Sequence, residues 1–277
     1  MYNKVIVGYD AEAGGRDALA LARQLVAKGG ELIGANVRML YPARFDNYPD
    51  PQWNYPGVGP ELTESEPDLK LRSVVATGIG RGLHVLAEDE GADLLVVGSS
   101  RHGNFGRVLL GDGTHEAING TPCAVAIAPA GYAEHEHPLK RVGVAYNCSA
   151  ESEQALSVAR GIAEEREAKL SAMEVTNFPT YAYLGGAGIP FTEIINPLLE
   201  DAHNHVAALE GVDDPRATFG EVAEELSNYS GDLDLLVVGS RDYGPVGRLV
   251  HGSTSRQLAR NCRCPLLIVP RNSEPGQ

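Results

Sequence analysis

The sequence is short of basic residues and of long apolar runs, and these shortages disfavour several classes of partner. Lysine and arginine number 23 against 37 aspartates and glutamates, which gives a formal net charge of −14. Nucleic-acid binders need a basic surface, and anionic membranes attract basic segments. No apolar run approaches the roughly 20 residues of a membrane span, and no signal-peptide pattern precedes the first strand. We therefore expect a cytoplasmic protein that binds neither nucleic acid nor membrane.

Cysteine is also scarce, with four residues at positions 123, 148, 262 and 264. None of them forms a C-x-x-C pair, and Cys262 and Cys264 form only C-x-C. A structural zinc site needs about four ligands, and no second pair stands at metal-ligand spacing. His135 and His137 are a weaker metal candidate, because the polar segment around them is more typical of a solvated linker. We predict reduced cysteines that mostly serve packing, and no metal site.

What the chain does contain is a repeat. Residues 93–114, D-L-L-V-V-G-S-S-R-H-G-N-F-G-R-V-L-L-G-D-G-T, recur at 234–254 as D-L-L-V-V-G-S-R-D-Y-G-P-V-G-R-L-V-H-G-S-T. The apolar run at the start of each copy predicts a strand that is buried on both faces. Glycines allow close backbone approach, and the free N–H groups of a following helix attract anions. Each copy therefore predicts an anion site; the alternative is that the glycines only make tight turns.

The pattern around each copy predicts the order β-α-β-α-β-α-β-α-β, so we expect two domains, residues 1–135 and 138–277. This alternation is typical of a doubly wound α/β fold with a parallel sheet in each domain. Ligands of such sheets bind beyond the carboxyl ends of the strands, where the strand order reverses. In the first half we predict strands at 4–9, 31–39, 70–76, 93–97 and 123–128, and helices at 16–28, 80–90 and 112–118. In the second half we predict strands at 141–146, 169–176, 217–219, 235–238 and 266–269, and helices at 152–165, 192–209, 221–229 and through 256–260.

The two halves differ after their second strands. Residues 40–60 contain five prolines and the only tryptophan, Trp53. Proline at this density excludes a helix or a central strand, so we predict a long loop and no counterpart to the helix at 192–209. The loop is either a lid or contact surface, or a segment packed on its own domain.

These features resemble the universal stress protein family in its tandem two-domain form, over nearly the whole chain. The most specific likeness is the family's nucleotide motif, G-x2-G-x9-G-[S/T], after the fourth strand. In the first half Gly98 and Gly111 hold the outer positions, whereas Arg101 replaces the middle glycine and Asp112 replaces the serine.

In the second half Gly239, Gly252 and Ser253 match the motif, and Asp242 replaces the middle glycine. Ser253 and Thr254 are suitable phosphate donors, whereas a carboxylate at the corresponding position of the first half would compete with phosphate for helix N–H groups. We therefore expect the second half to be better suited to phosphate.

The family's adenine-side aspartate matches Asp10, and its counterpart in the second half is Asn147. The second-strand residue whose backbone faces adenine matches Val37 in the first half and Val175 in the second. The resemblance thus implies a Rossmann-like fold of the adenine nucleotide alpha hydrolase type and binding of an adenine nucleotide, ATP alone or with Mg²⁺. The implied binding residues are Asp10, Val37, Gly98, Arg101, Gly111, Asp112, Gly113, Thr114, Asn147, Val175, Gly239, Asp242, Gly252, Ser253 and Thr254.

Motifs of related enzymes are missing. The S-G-G-x-D-S loop of ATP pyrophosphatases does not follow the first strand, and no G-x-x-x-x-G-K-[S/T] loop occurs. We therefore expect a regulatory or stress-response binding module without rapid catalysis; the rival is a nucleotide-free scaffold with degenerate sites. The resemblance also implies pairing through the fifth strands, as a homodimer or as an intrachain pseudo-dimer, and an unidentified protein partner.

Overall fold

The computed structural model describes residues 1–9, 13–39, 66, 68–99, 119–177, 191–240 and 253–270. In these ranges the strands are β1 (Tyr2–Gly8), β2 (Val26–Met39), β3 (Leu69–Ala76), β4 (Leu94–Gly98), β5 (Ala124–Ala128), β6 (Arg141–Tyr146), β7 (Lys169–Thr176), β8 (Asp214–Phe219), β9 (Leu235–Ser240) and β10 (Leu266–Pro270). The α-helices are α1 (Ala13–Leu25), α2 (Ile79–Glu90), α3 (Ala150–Arg166), α4 (Phe191–Ala207), α5 (Val222–Tyr229) and α6 (Ser253–Asn261).

The strands form one sheet in the order β3-β2-β1-β4-β5-β10-β9-β6-β7-β8. All pairs within a half are parallel, and the strand order reverses between β1 and β4 and again between β6 and β9. The doubly wound parallel architecture is therefore confirmed. The fifth strands of the two halves pair antiparallel, with Leu267 opposite Ala126. The expected pairing through this edge occurs within the chain, and it joins the two expected sheets into one.

The central strands are buried on both faces, as their unalternating apolar runs predict. Leu94 and Val96 lie in one core and Leu95 and Val97 in the other, because successive strand side chains point to opposite faces. Each core includes residues from both halves. The two halves thus share their hydrophobic interior across the β5–β10 pair.

The boundary between α1 and β2 differs from the prediction. The apolar spacing and the Gly29-Gly30 pair predict a helix that continues to residue 28, but α1 ends at Leu25 and β2 begins at Val26. Val26 pairs with Tyr2, after which the register shifts, and Gly29 has a left-handed φ of 86°. Pairing of β-branched Val26 with the neighbouring strand therefore overrides the local helical pattern.

The strand predicted at 217–219 is longer, because β8 begins at Asp214 and includes Pro215. A proline cannot donate to a ladder and is confined largely to edge strands. At the end of the strand order β8 is such an edge. Proline is likewise accommodated in α4, where the predicted helix forms around Pro197.

The segment between the halves is attached to α1 rather than fully solvated. The buried carboxylate of Asp17 accepts hydrogen bonds from the backbone N–H groups of Gly131 at 2.9 Å and Ala133 at 2.8 Å. Tyr132 is buried, and His137 stacks on its ring with 4.6 Å between centroids. His135 remains exposed, as expected of a solvated linker, whereas His137 is half-buried.

All four cysteines are reduced, and most of them are buried, as predicted. Cys123, Cys262 and Cys264 are buried and carry free thiols, whereas Cys148 is free and exposed. None of the described helices has the length and apolar character needed to cross a membrane. The predicted loop at 40–60, the missing second helix of the first half, and the helix at 112–118 lie outside the described residues.

Candidate functional site

The candidate site lies at the carboxyl ends of the central strands, at the two points where the strand order reverses. Of the predicted binding residues, Val37, Gly98, Asn147, Val175, Gly239 and Thr254 are described, together with the backbone of Ser253. The others lie outside the described residues and stay predictions: Asp10, Arg101, Gly111, Asp112, Gly113, Thr114, Asp242 and Gly252.

Gly98 and Gly239 occupy equivalent positions and are glycine for the same packing reason. A Cβ atom on Gly98 would lie 2.1 Å from the carbonyl oxygen of Gly14, at the start of α1. A Cβ atom on Gly239 would lie 2.3 Å from the carbonyl oxygen of Glu151, at the start of α3. In each half, therefore, the first helix of that half contacts the end of the fourth strand backbone to backbone. Contact of these glycines with a ligand is a separate prediction.

The two valines also contribute to packing. Val37 and Val175 are half-buried, and both pack against the same core. Gly82 of α2 allows the approach of Val37, because a Cβ atom at Gly82 would lie 2.5 Å from Val37 Cγ1. Because their side chains pack in the core, these valines can offer adenine their backbone, which is the part that the resemblance assigns to it.

Asn147 follows β6 and fixes the start of α3. Its side-chain oxygen accepts hydrogen bonds from the backbone N–H of Ser149 at 3.3 Å and from the Ser149 hydroxyl at 2.6 Å. Ser149 in turn caps α3 in a reciprocal capping box with Ser152. Asn147 is exposed, and its amide NH2 group has no partner within the described part of the chain. That donor suits an acceptor atom such as a ring nitrogen of adenine.

Helix α6 begins at Ser253, directly after Gly252 of the second glycine-rich stretch. Its first turn contains no acidic residue. The free N–H groups of this turn and the positive end of the helix dipole favour an anion. The second half thus has the strand and the helix start that the anion-site prediction requires.

The structure also brings together three side chains that the sequence patterns do not connect. Cys148 follows β6, Glu174 lies on β7, and His205 lies in the last turn of α4. One ligand atom from each lies within 4.8 Å of the others. His205 Nδ1 is 3.1 Å from Glu174 Oε2. Sequence spacing predicts no metal site, whereas these three side chains are of the types that bind metal ions.

Burial and nearby carboxylates both affect the ionisable groups around this cluster. Desolvation, followed by the nearby charge of Glu174, raises the pKa of the Cys148 thiol. Desolvation, followed by its hydrogen bond to Glu153, raises the pKa of Tyr146. Cys148 also has a left-handed backbone, with φ of 58°, a conformation in which residues other than glycine are uncommon. Separation in sequence conceals this cluster, since no local spacing motif links its members.

Comparisons with known proteins agree with this architecture. A search of solved structures finds a universal stress protein from Archaeoglobus fulgidus with a TM-score of 0.63 and 16% identity, covering 98% of this chain and 99% of that one. A second match, described as a universal stress protein from Pseudomonas aeruginosa, has a TM-score of 0.66 and 16% identity and covers 97% of this chain and 93% of the other. At these identities the likeness concerns the fold.

Sequence comparisons identify the family. A relative from Staphylococcus aureus strain USA300, named as a universal stress protein, is 29% identical over 146 residues, which cover 50% of this chain and 87% of the relative. The model of the universal stress protein family matches residues 1–129 and again residues 138–270. The chain therefore belongs to the universal stress protein family and carries two tandem family segments.

Proposed function

We propose that this chain is an adenine-nucleotide-binding module of the stress response, which binds ATP in its second half without rapid turnover. The observation that carries the proposal is the start of α6 immediately after the glycine-rich stretch that follows β9. This helix start lies across the strand-order reversal from Asn147, which follows the neighbouring strand β6. In this proposal the donor for the base and the anion site for phosphate flank the crevice expected at the strand-order reversal.

The second half is the better candidate at the phosphate end. Gly252 and Ser253 retain the family motif there, whereas Asp112 stands in the serine position of the first half. A carboxylate at that position would repel phosphate and compete for the same N–H groups. The first half retains Asp10 at the adenine side, so binding there should depend more on the base.

Slow chemistry follows from the residues that phosphoryl transfer would need. ATPases of the P-loop class position a lysine on the phosphates and orient the attacking water with a further side chain. This sequence contains no P-loop lysine motif. We therefore expect bound ATP to be hydrolysed far more slowly than the roughly 1–10³ turnovers per second of ordinary enzymes.

Calorimetric titration of the full chain with ATP, AMP and adenosine tests the proposal. We expect saturable binding of ATP and weaker binding of adenosine, with the difference reporting the phosphate contacts. Undetectable binding at millimolar ATP would favour a nucleotide-free scaffold. Turnover of about one ATP per second or faster would instead contradict the absence of rapid catalysis.

A substitution at the phosphate end separates phosphate recognition from base recognition. Gly252→Val should weaken ATP binding by about 1–3 kcal/mol, because the added side chain blocks approach to the backbone N–H groups. Adenosine binding should be unchanged. Gly161→Ala is a suitable control, since a Cβ atom at this helical glycine meets nothing within 4 Å. Equal losses for ATP and adenosine would show a general structural effect rather than a phosphate contact.

A further inference from the structure

We propose that Cys148, Glu174 and His205 form a zinc-binding site beside the base end of the second nucleotide crevice. The site does not depend on nucleotide binding, because it uses different side chains. Thiolate, imidazole and carboxylate are the three ligand types that proteins use for Zn²⁺. This mixture of a soft sulfur with nitrogen and oxygen disfavours Mg²⁺ and Ca²⁺, which prefer oxygen ligands alone.

The spacing of the three donors suits one tetrahedral ion. Around zinc, with bonds of about 2.0–2.3 Å, neighbouring donor atoms lie about 3.3–3.8 Å apart. The donors of the cluster already lie within 4.8 Å of one another, and His205 Nδ1 is 3.1 Å from Glu174 Oε2. The donor atoms would therefore have to close by at most about 1–1.5 Å to reach the spacing of a tetrahedral zinc site.

Each donor comes from a different structural element, so the site has a stable frame. Cys148 lies between β6 and the capped start of α3, Glu174 lies on a strand paired on both sides, and His205 lies on α4. The side chain of Glu174 is only 14% exposed, whereas that of His205 is 51% exposed. A fixed, mostly buried carboxylate is thus combined with an open side through which an ion can enter.

The surroundings favour a cation. Tyr146 donates a hydrogen bond to Glu153 on the first turn of α3, which places a second carboxylate near Cys148. Three protein ligands leave the fourth tetrahedral position for water or for an atom of a bound ligand. An ion there would connect β6, β7 and α4, the elements on the base side of the crevice.

Zinc titration of the metal-stripped full chain, followed by calorimetry and by elemental analysis of the dialysed protein, tests the proposal. We expect one strongly bound zinc ion per chain. Loss of a hydrogen-bond partner of a zinc ligand already weakens metal binding by roughly 10- to 100-fold. Cys148→Ser, Glu174→Gln and His205→Ala should each weaken zinc binding at least that much.

His203→Ala is the matched control, because His203 is exposed on the same helix and is not a member of the cluster. It should leave zinc affinity unchanged. Cobalt provides a spectroscopic check: a Co²⁺ complex should show thiolate-to-metal charge-transfer absorption that Cys148→Ser abolishes. The other three thiols are buried and should contribute no such signal. Urea unfolding of each variant verifies that it is folded.

Three results would overturn the proposal: no stoichiometric zinc in the wild-type chain, unchanged affinity in both Glu174→Gln and His205→Ala, or an equal loss in the His203→Ala control. The second result would place zinc on other side chains. ATP titration of Cys148→Ser distinguishes this site from the nucleotide site, since loss of zinc with retained ATP binding shows that the two sites are separate.

Discussion

Replacement of Gly239 by alanine should destabilise the second half strongly. The new Cβ atom would lie 2.3 Å from the carbonyl oxygen of Glu151. Because heavy-atom contacts are favourable only near 3.5 Å, α3 would have to move by about 1 Å. A backbone carbonyl cannot rotate away as a side chain can, so the clash moves the whole start of α3. This movement loosens the packing of Leu156 and Ile162 in the core. We expect a loss of about 3 kcal/mol, the upper part of the range for overpacked cores.

Thermal unfolding followed by circular dichroism measures this effect. A change of 1 kcal/mol shifts the melting temperature of a protein of this size by about 2–4 °C, so Gly239→Ala should lower it by about 6–12 °C. Gly161→Ala adds the same methyl group within α3, where it meets nothing within 4 Å. It should be stabilising by about 0.5–1 kcal/mol. A loss below about 1 kcal/mol for Gly239→Ala would refute the argument that helix packing requires this glycine.

Two further substitutions test the attachments of helices α1 and α3. Asp17→Asn should lower the free energy of unfolding by about 2–4 kcal/mol. The two carboxylate oxygens accept from the backbone N–H groups of Gly131 and Ala133, whereas an amide has only one oxygen and turns its NH2 group towards the other N–H. Urea unfolding measures the loss, and a change within error would contradict it. Ser149→Ala removes the reciprocal cap with Ser152 and should cost about 1 kcal/mol in the same assay; an unchanged midpoint would show that the cap contributes nothing.

Much of the fold could be predicted because its central strands are buried on both faces. The bounds of β6 and β7 agree with the prediction, since apolar composition and flanking polar residues define them locally. The start of β2 could not be predicted in this way. Val26 continues a helical apolar pattern, and only its pairing with Tyr2 draws it into the sheet. Local patterns do not contain that tertiary contact.

The candidate site was predictable only in part. The start of α6 at Ser253 follows from a glycine-rich stretch, and the exposed position of Asn147 follows from the end of an apolar run. The packing role of Gly239 could not be predicted, because a glycine required by a crossing helix and a glycine required by a ligand look identical in sequence. The cluster of Cys148 with β7 and α4 depends on contacts between elements that are distant in the chain.

The antiparallel pairing of β5 with β10 has a consequence for how the two halves change over time. In a dimer of separate identical chains, every substitution appears twice, and assembly depends on concentration. Here a covalent connection keeps the local concentration of each partner edge high. The two faces of the junction can therefore diverge independently without loss of assembly. Such asymmetry is visible in the sequence, where Asn147 stands in the second half at the position that Asp10 holds in the first.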